Sequence, residues 1–200
     1  AFGMSYRLGL TGSIGMGKST TAQFFAAQGI PVWDADATVH ALYAKGGQAT
    51  EILAKLCPEV IEDEAVSRPL LRAKIAVDPA FLGLVQAKIH PLVAASRIAF
   101  LAQTVAPIVL LDIPLLFETG SDSLCDGIVV VSVPAEIQRK RVLARGQMTE
   151  PELELILSRQ LPDAEKRARA TWVIDTTTLD SAAHAVKQIL QDIRQRQTHA

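Results

Sequence analysis

Tyr6-Arg7-Leu8-Gly9-Leu10-Thr11-Gly12-Ser13-Ile14-Gly15-Met16-Gly17-Lys18-Ser19-Thr20 is the stretch on which the fold turns. Tyr6 to Leu10 is a short apolar run of the kind that forms a buried strand, and a helical pattern runs from Lys18 to Gln28 and stops at Gly29. Between them, Gly12 to Ser19 satisfies G-x-x-x-x-G-K-[ST], in the strand-to-helix setting that a phosphate-binding loop requires. Glycines let successive N–H groups turn inward on a phosphate, while the helix N-terminus adds partial positive charge. The sequence therefore predicts an ATP site built from Gly12, Ser13, Gly15, Met16, Gly17, Lys18, Ser19 and Thr20. In that site Lys18 bridges the β- and γ-phosphates, the Ser19 hydroxyl ligates Mg²⁺ and Thr20 contacts the α-phosphate.

Further apolar runs at Ile30 to Trp33, Ile108 to Ile113 and Ile128 to Val133, with a weaker one at Trp172 to Asp175, bring the predicted strands to five. They are nearly unbroken rather than alternating, the mark of strands buried on both faces. The intervening segments carry helical periodicity, so the class is α/β with a parallel sheet. Some seventy residues between the second and third strands contain no convincing strand. Their helical patterns lie around Asp36 to Ala44, Gln48 to Leu56, Pro69 to Val77 and Pro91 to Gln103, and they read as an insert walling a substrate cleft. A second helical stretch, Ala135 to Ala170, carries much of the basic charge, and Leu179 to Gln195 closes the chain as an amphipathic helix.

The chain has 200 residues, 49 % hydrophobic and 20 % charged, which fits one globular core with a modest insert and excludes a disordered or fibrous role. Twenty basic and 21 acidic side chains leave a net charge of −1, so nothing global steers the protein to nucleic acid or an anionic membrane, and any anion site is local. The apolar stretches are too short to span a bilayer. Cys57 and Cys125 lie far apart without a CxxC or a zinc pattern, which predicts reduced thiols and a cytoplasmic setting. Ala1 to Gly3 have neither a charged nor an apolar leader region and read as a remnant ahead of the native start at Met4. No obligate protein partner is predicted.

The acceptor side decides which phosphate chemistry follows. Asp34-Ala35-Asp36 ends the second strand, where carboxylates of a doubly wound sheet face the ligand crevice from a neighbouring strand. Asp36 would deprotonate or orient an acceptor hydroxyl with Asp34 in substrate contact, or one of the two caps the helix that follows. Asp112 ends Ile108-Val109-Leu110-Leu111 as a metal-holding acid would, directly or through water, the plainer alternative being a cap or turn residue. Pro114-Leu115-Leu116-Phe117-Glu118 suits either packing on an organic substrate or the core. Arg141 and Arg145, four apart on one helix face, would close over a triphosphate, the plainer alternative being a solvated cationic face. No guanine-reading NKxD motif follows a strand, which argues against a GTP switch.

Taken together, Gly9-Leu10-Thr11-Gly12-Ser13-Ile14-Gly15-Met16-Gly17-Lys18-Ser19-Thr20, Asp34-Ala35-Asp36, His90-Pro91-Leu92 and Asp112-Ile113-Pro114-Leu115-Leu116-Phe117-Glu118 resemble the dephospho-CoA kinases, in order and spacing and over nearly the whole chain. The resemblance implies a P-loop kinase-like fold with a five-stranded parallel sheet flanked by helices. The nucleotide core would comprise 4–34, 106–134 and 171–200, the helical CoA-binding domain 35–105 and the lid 135–170. It also implies transfer of the ATP γ-phosphoryl group to the ribose 3′-hydroxyl of dephospho-CoA, with Asp36 as general base and Arg141 as the lid arginine. Arg68, His90, Pro114, Leu115 and Glu118 would line the acceptor side. Three positions depart from the family pattern: Gly146 stands after Arg145 where an aspartate is usual, Asp175-Thr176-Thr177 replaces an Asn-containing turn, and Ile75-Ala76 replaces a larger aromatic.

Overall fold

The computed structural model describes residues 4–199, so the reading of Ala1 to Gly3 lies outside the described residues. The described residues through Trp33 and from Val105 onward form one compact unit, and Asp34–Thr104 forms a second.

In the first unit, β1 (Tyr6–Thr11) lies at the centre of a parallel sheet, with β5 (Ile108–Asp112) on one side and β6 (Gly127–Ser132) on the other. β2 (Val32–Asp34) and β7 (Trp172–Asp175) complete the order β2-β5-β1-β6-β7. Every residue of β5 and β6 is buried, as their unbroken apolar runs predict for a sheet covered on both faces. Because β5 intervenes, β2 does not adjoin β1, and the expectation of carboxylates presented from the strand next to the phosphate loop is corrected to that extent.

α1 (Lys18–Ala27) and α9 (Leu179–Thr198) pack on this sheet. α9 buries Ala182, Val186, Ile189, Leu190 and Ile193, a stripe at helical spacing, into a cluster with Leu8, Leu10, Phe25, Leu110 and Val129. The basic stretch divides into α6 (Ala135–Ala144), α7 (Glu150–Arg159) and α8 (Asp163–Arg169). Gly146 takes a φ of 67° and donates its N–H to Leu143 O at 3.1 Å. The residue that departs from the family pattern thus ends α6 as a left-handed cap that side chains adopt only with strain. α7 opens with a capping box between Thr149 and Glu152.

The second unit has its own apolar centre, in which Leu53, Val60, Leu71, Phe81, Val85 and Ile89 meet. Its helices are α2 (Ala35–Tyr43), α3 (Gln48–Leu56), α4 (Arg68–Val77) and α5 (Ala80–Gln103). Two differences from the sequence reading stand out. A small antiparallel hairpin, β3 (Ile61–Glu62) with β4 (Ala65–Val66), occupies a stretch read as strand-free. Its turn residues, Asp63 at φ 49° and Glu64 at φ 62°, hold the doubly left-handed geometry that normally advertises itself as Asn-Gly. In addition, α5 starts eleven residues before Pro91 and runs through it. The apolar spacing of Phe81, Val85 and Ile89 continues into the partly buried Leu92 and Val93, and this packing outweighs the backbone bond that the proline ring removes. Among the described residues no helix is long and apolar enough to cross a membrane.

One buried charge ties α8 to the segment after β5. Lys166 is fully buried, with its ammonium 3.2 Å from Glu118 Oε2, and the same oxygen accepts the Leu161 N–H at 3.2 Å. Removing one partner of such a pair strands the other charge and costs about 3 kcal/mol, whereas replacing both charges is close to neutral. Urea unfolding of Glu118→Gln is therefore expected to show a loss of about 3 kcal/mol, much of it recovered in Glu118→Gln/Lys166→Met. A single variant as stable as the parent would mean that the charge on Glu118 is dispensable.

Candidate active site

The loop between β1 and α1 follows the sequence reading closely. Gly15 and Gly17 have φ of 74° and 83°, conformations that a side chain would strain. α1 begins at Lys18 with no side-chain cap, so the N–H groups of its first turn face the loop's ligand side without an internal acceptor. The loop is braced from outside the motif. Gln138 Nε2 of α6 donates to Ile14 O at 2.8 Å, Thr176 Oγ1 donates to Met16 O at 2.5 Å, and the Val133 N–H points at Met16 Sδ from 3.1 Å.

Parallel pairing of β1 with β5 sets Leu10 opposite Asp112, so that the acid lies at the same sheet edge as the loop. There the Lys18 ammonium forms an ion pair with Asp112 Oδ1, both side chains being largely buried. Ser19, next in sequence, is exposed. A cavity of about 260 Å³ is lined by Ser13, Lys18 and Ser19 together with Pro114, Arg145 and Gln160. A second, of about 240 Å³, is lined by Thr20, Arg141, Arg145, Thr176 and Thr178, and the two share Gly17, Thr20 and Arg145.

Arg141 and Arg145 therefore both border cavities at the loop, and Arg141 is held rather than solvated. Its guanidinium donates to Thr176 O at 2.7 Å and Thr177 O at 3.3 Å. Arg145 caps the C-terminus of α6. At the head of the same turn, hydrogen bonds from the Thr177 hydroxyl and N–H lower the Asp175 carboxyl below its usual range; burial opposes this, and Arg141 assists more weakly. Of the segment after β5, Thr11 Oγ1 donates to Pro114 O at 2.9 Å, Leu115 is exposed, and Glu118 is engaged with Lys166.

The remaining candidates belong to the second unit. Asp34 caps α2, its Oδ1 accepting the Ala37 N–H at 3.0 Å, which realises the capping alternative for this residue. Asp36 stands exposed in the first turn of α2. Arg68 lies 5.4 Å from the centre of the Tyr43 ring, and burial raises the Tyr43 hydroxyl above its usual value against the opposing effect of Arg68. His90 is exposed on α5. Gln138, Thr176, Thr178 and Gln160 went unread at the sequence level, because single amides and hydroxyls carry no spacing signal. Only the departure at Asp175-Thr176-Thr177 drew attention to that turn.

The sequence model of the family described as dephospho-CoA kinase matches residues 6–181. The chain belongs to the dephospho-CoA kinase family. The dephospho-CoA kinase of Cereibacter sphaeroides is 54 % identical over 190 residues, covering 95 % of this chain and 96 % of that protein. A crystal structure from Thermus thermophilus superposes with a TM-score of 0.84 at 34 % identity, over 95 % of this chain and 98 % of the other. The dephospho-CoA kinase structure from Campylobacter jejuni, at 19 % identity and a TM-score of 0.66 over 96 % and 98 % of the two chains, shares the fold. The enzyme is thus a phosphotransferase with the P-loop kinase architecture.

Gly12 tests how tightly the kinase's loop is seated. A Cβ there would lie 2.3 Å from Val131 Cγ2 and 3.0 Å from Val131 O. Gly12→Ala is expected to weaken ATP binding about tenfold, and Gly12→Ala/Val131→Ala to recover part of that loss, both read by calorimetric titration. Unchanged affinity in the single variant would show that the loop has room to shift.

Proposed function

We propose that this kinase transfers the γ-phosphoryl group of ATP to the 3′-hydroxyl of the ribose of dephospho-CoA, giving CoA and ADP, the last step of CoA synthesis. The observation that carries the reading is the phosphate loop joined through Lys18 to Asp112, within a chain that matches the family from residue 6 to 181. In this reading residues 4–34, 106–134 and 171–200 form the nucleotide core, 35–105 the CoA-binding region and 135–170 the lid. A cytoplasmic setting goes with it.

The residues suit Mg²⁺ as the metal. Among the described residues no group of three or more His, Cys, Asp or Glu is assembled, while a hydroxyl at Ser19 and a carboxylate at Asp112 flank Lys18. One carboxylate and one hydroxyl are the protein share of a site that substrate phosphates and water complete, as Mg²⁺ prefers. When bound, Mg²⁺ supplies neutralising charge to the phosphate oxygens.

Catalysis of this kind rests on positioning and electrostatics, not on covalent intermediates. The loop amides of Gly12 to Thr20 hold the phosphates. Lys18, paired with Asp112 here, would turn to the β- and γ-phosphate oxygens, and Asp112 with Ser19 would hold the metal. Arg141 and Arg145 offset charge on the transferring group from the lid side. Asp36, exposed at the head of α2 while Asp34 is committed to the cap, accepts the proton of the attacking hydroxyl. Arg68, His90, Pro114, Leu115 and Glu118 contact the acceptor.

Coupled ADP detection with dephospho-CoA, AMP, CMP, nucleosides and shikimate tests the substrate. Turnover is expected with dephospho-CoA alone, and preference for another acceptor would overturn the assignment. Asp36→Asn is expected to retain ATP affinity within about twofold and to lose at least about a hundredfold in kcat. Near-parental turnover would remove Asp36 from proton transfer.

A further inference from the structure

We infer that Gln138 and Thr176, both outside the G-x-x-x-x-G-K-[ST] motif, are positioning residues for phosphate transfer that fix the loop by hydrogen-bonding its outward carbonyls. The inference rests on the reading that this loop holds the phosphates of ATP. A loop that turns its N–H groups toward an anion must turn carbonyls the other way, and a buried carbonyl requires a donor. Two such carbonyls are satisfied locally: Ser13 O accepts the Met16 N–H at 3.2 Å, and Gly17 O accepts the N–H and hydroxyl of Thr21 at 3.2 and 2.9 Å. Two more depend on distant side chains, Ile14 O on Gln138 Nε2 at 2.8 Å and Met16 O on Thr176 Oγ1 at 2.5 Å. Both donors are buried, Gln138 to 5 % exposure and Thr176 to 7 %, so water cannot readily replace either.

The left-handed glycines supply an independent observation. A Cβ on Gly15 would come within 3.2 Å of Gln138 O and 2.6 Å of Val142 Cγ2, and one on Gly17 within 3.0 Å of Thr176 Oγ1. The two residues that donate to the loop therefore also leave little room for a side chain at its two left-handed glycines. Arg141, one turn beyond Gln138 on α6, grips Thr176 O at 2.7 Å, so one helix face reaches the loop directly and again through Thr176. Thr176 thereby links the lid arginine to the backbone that cradles phosphate. In this scheme each acts through the shape of the loop.

Thr176→Val keeps the side-chain shape and deletes the donor, and Thr176→Ser keeps the donor. Steady-state kinetics with dephospho-CoA and MgATP are expected to give Thr176→Val an ATP KM raised about tenfold, with the dephospho-CoA KM within about twofold of the parent and Thr176→Ser close to parental. Gln138→Met is expected to behave like Thr176→Val, and it carries the test if Thr176→Val does not fold. An ATP KM unchanged in the folded variant, even with a lowered Tm, overturns the inference, as does a defect that Thr176→Ser shares. Parental enzyme that fails to bind MgATP in calorimetry overturns the underlying reading and the inference with it. Parental binding with unaffected variants overturns the inference alone.

Discussion

Parallel pairing on both sides of β1 is the constraint on which the nucleotide site depends. It sets Leu10 beside both Asp112 and Val129 and Thr11 beside Val130, so three strand ends, from β1, β5 and β6, reach the same sheet edge in fixed register. The loop after β1, the acid ending β5 and the Ser132-Val133-Pro134 exit of β6 are thereby delivered to one place. A slip of one residue would invert every side chain of β1 and bring the wrong backbone to Val131. The apolar side chains that make β5 and β6 wholly buried are therefore also what specifies the chemistry at their ends.

Electrostatics at that edge are local. Net charge is −1, yet the loop gathers a helix N-terminus without a side-chain cap, Lys18, Arg141 and Arg145 around adjoining cavities. Two of these cations have a protein partner, Lys18 on Asp112 and Arg141 on the carbonyls of Thr176 and Thr177, while Arg145 ends α6 with an exposed side chain. In the proposed reading, phosphate would take Lys18 and Arg141 from contacts that already hold them, which lowers the entropic cost of assembling the site.

Much of the first unit was legible in the sequence because its signals are local. Buried parallel strands read as unbroken apolar runs, the glycine-lysine pattern has a mechanical reason for its spacing, and α9 shows its buried stripe directly. Other features escaped for physical reasons. The β3–β4 turn uses Asp63 and Glu64 where glycine or asparagine would announce the conformation. α5 continues through Pro91 because its apolar face holds it on both sides of the lost bond. The placement of β5 between β2 and β1 is a tertiary fact that no window of sequence contains. The bracing of the loop by Gln138 and Thr176 spans more than a hundred residues and uses common side chains, so only coordinates could reveal it.

The most direct measurement of the central claim is calorimetric titration of MgATP into the parent protein and into Lys18→Met. The account predicts a single saturable binding event per chain in the parent, and its loss or severe weakening when the ammonium that leaves Asp112 for the phosphates is removed. Absence of heat in the folded parent, or equal affinity in both proteins, would contradict the assignment of this loop to the triphosphate.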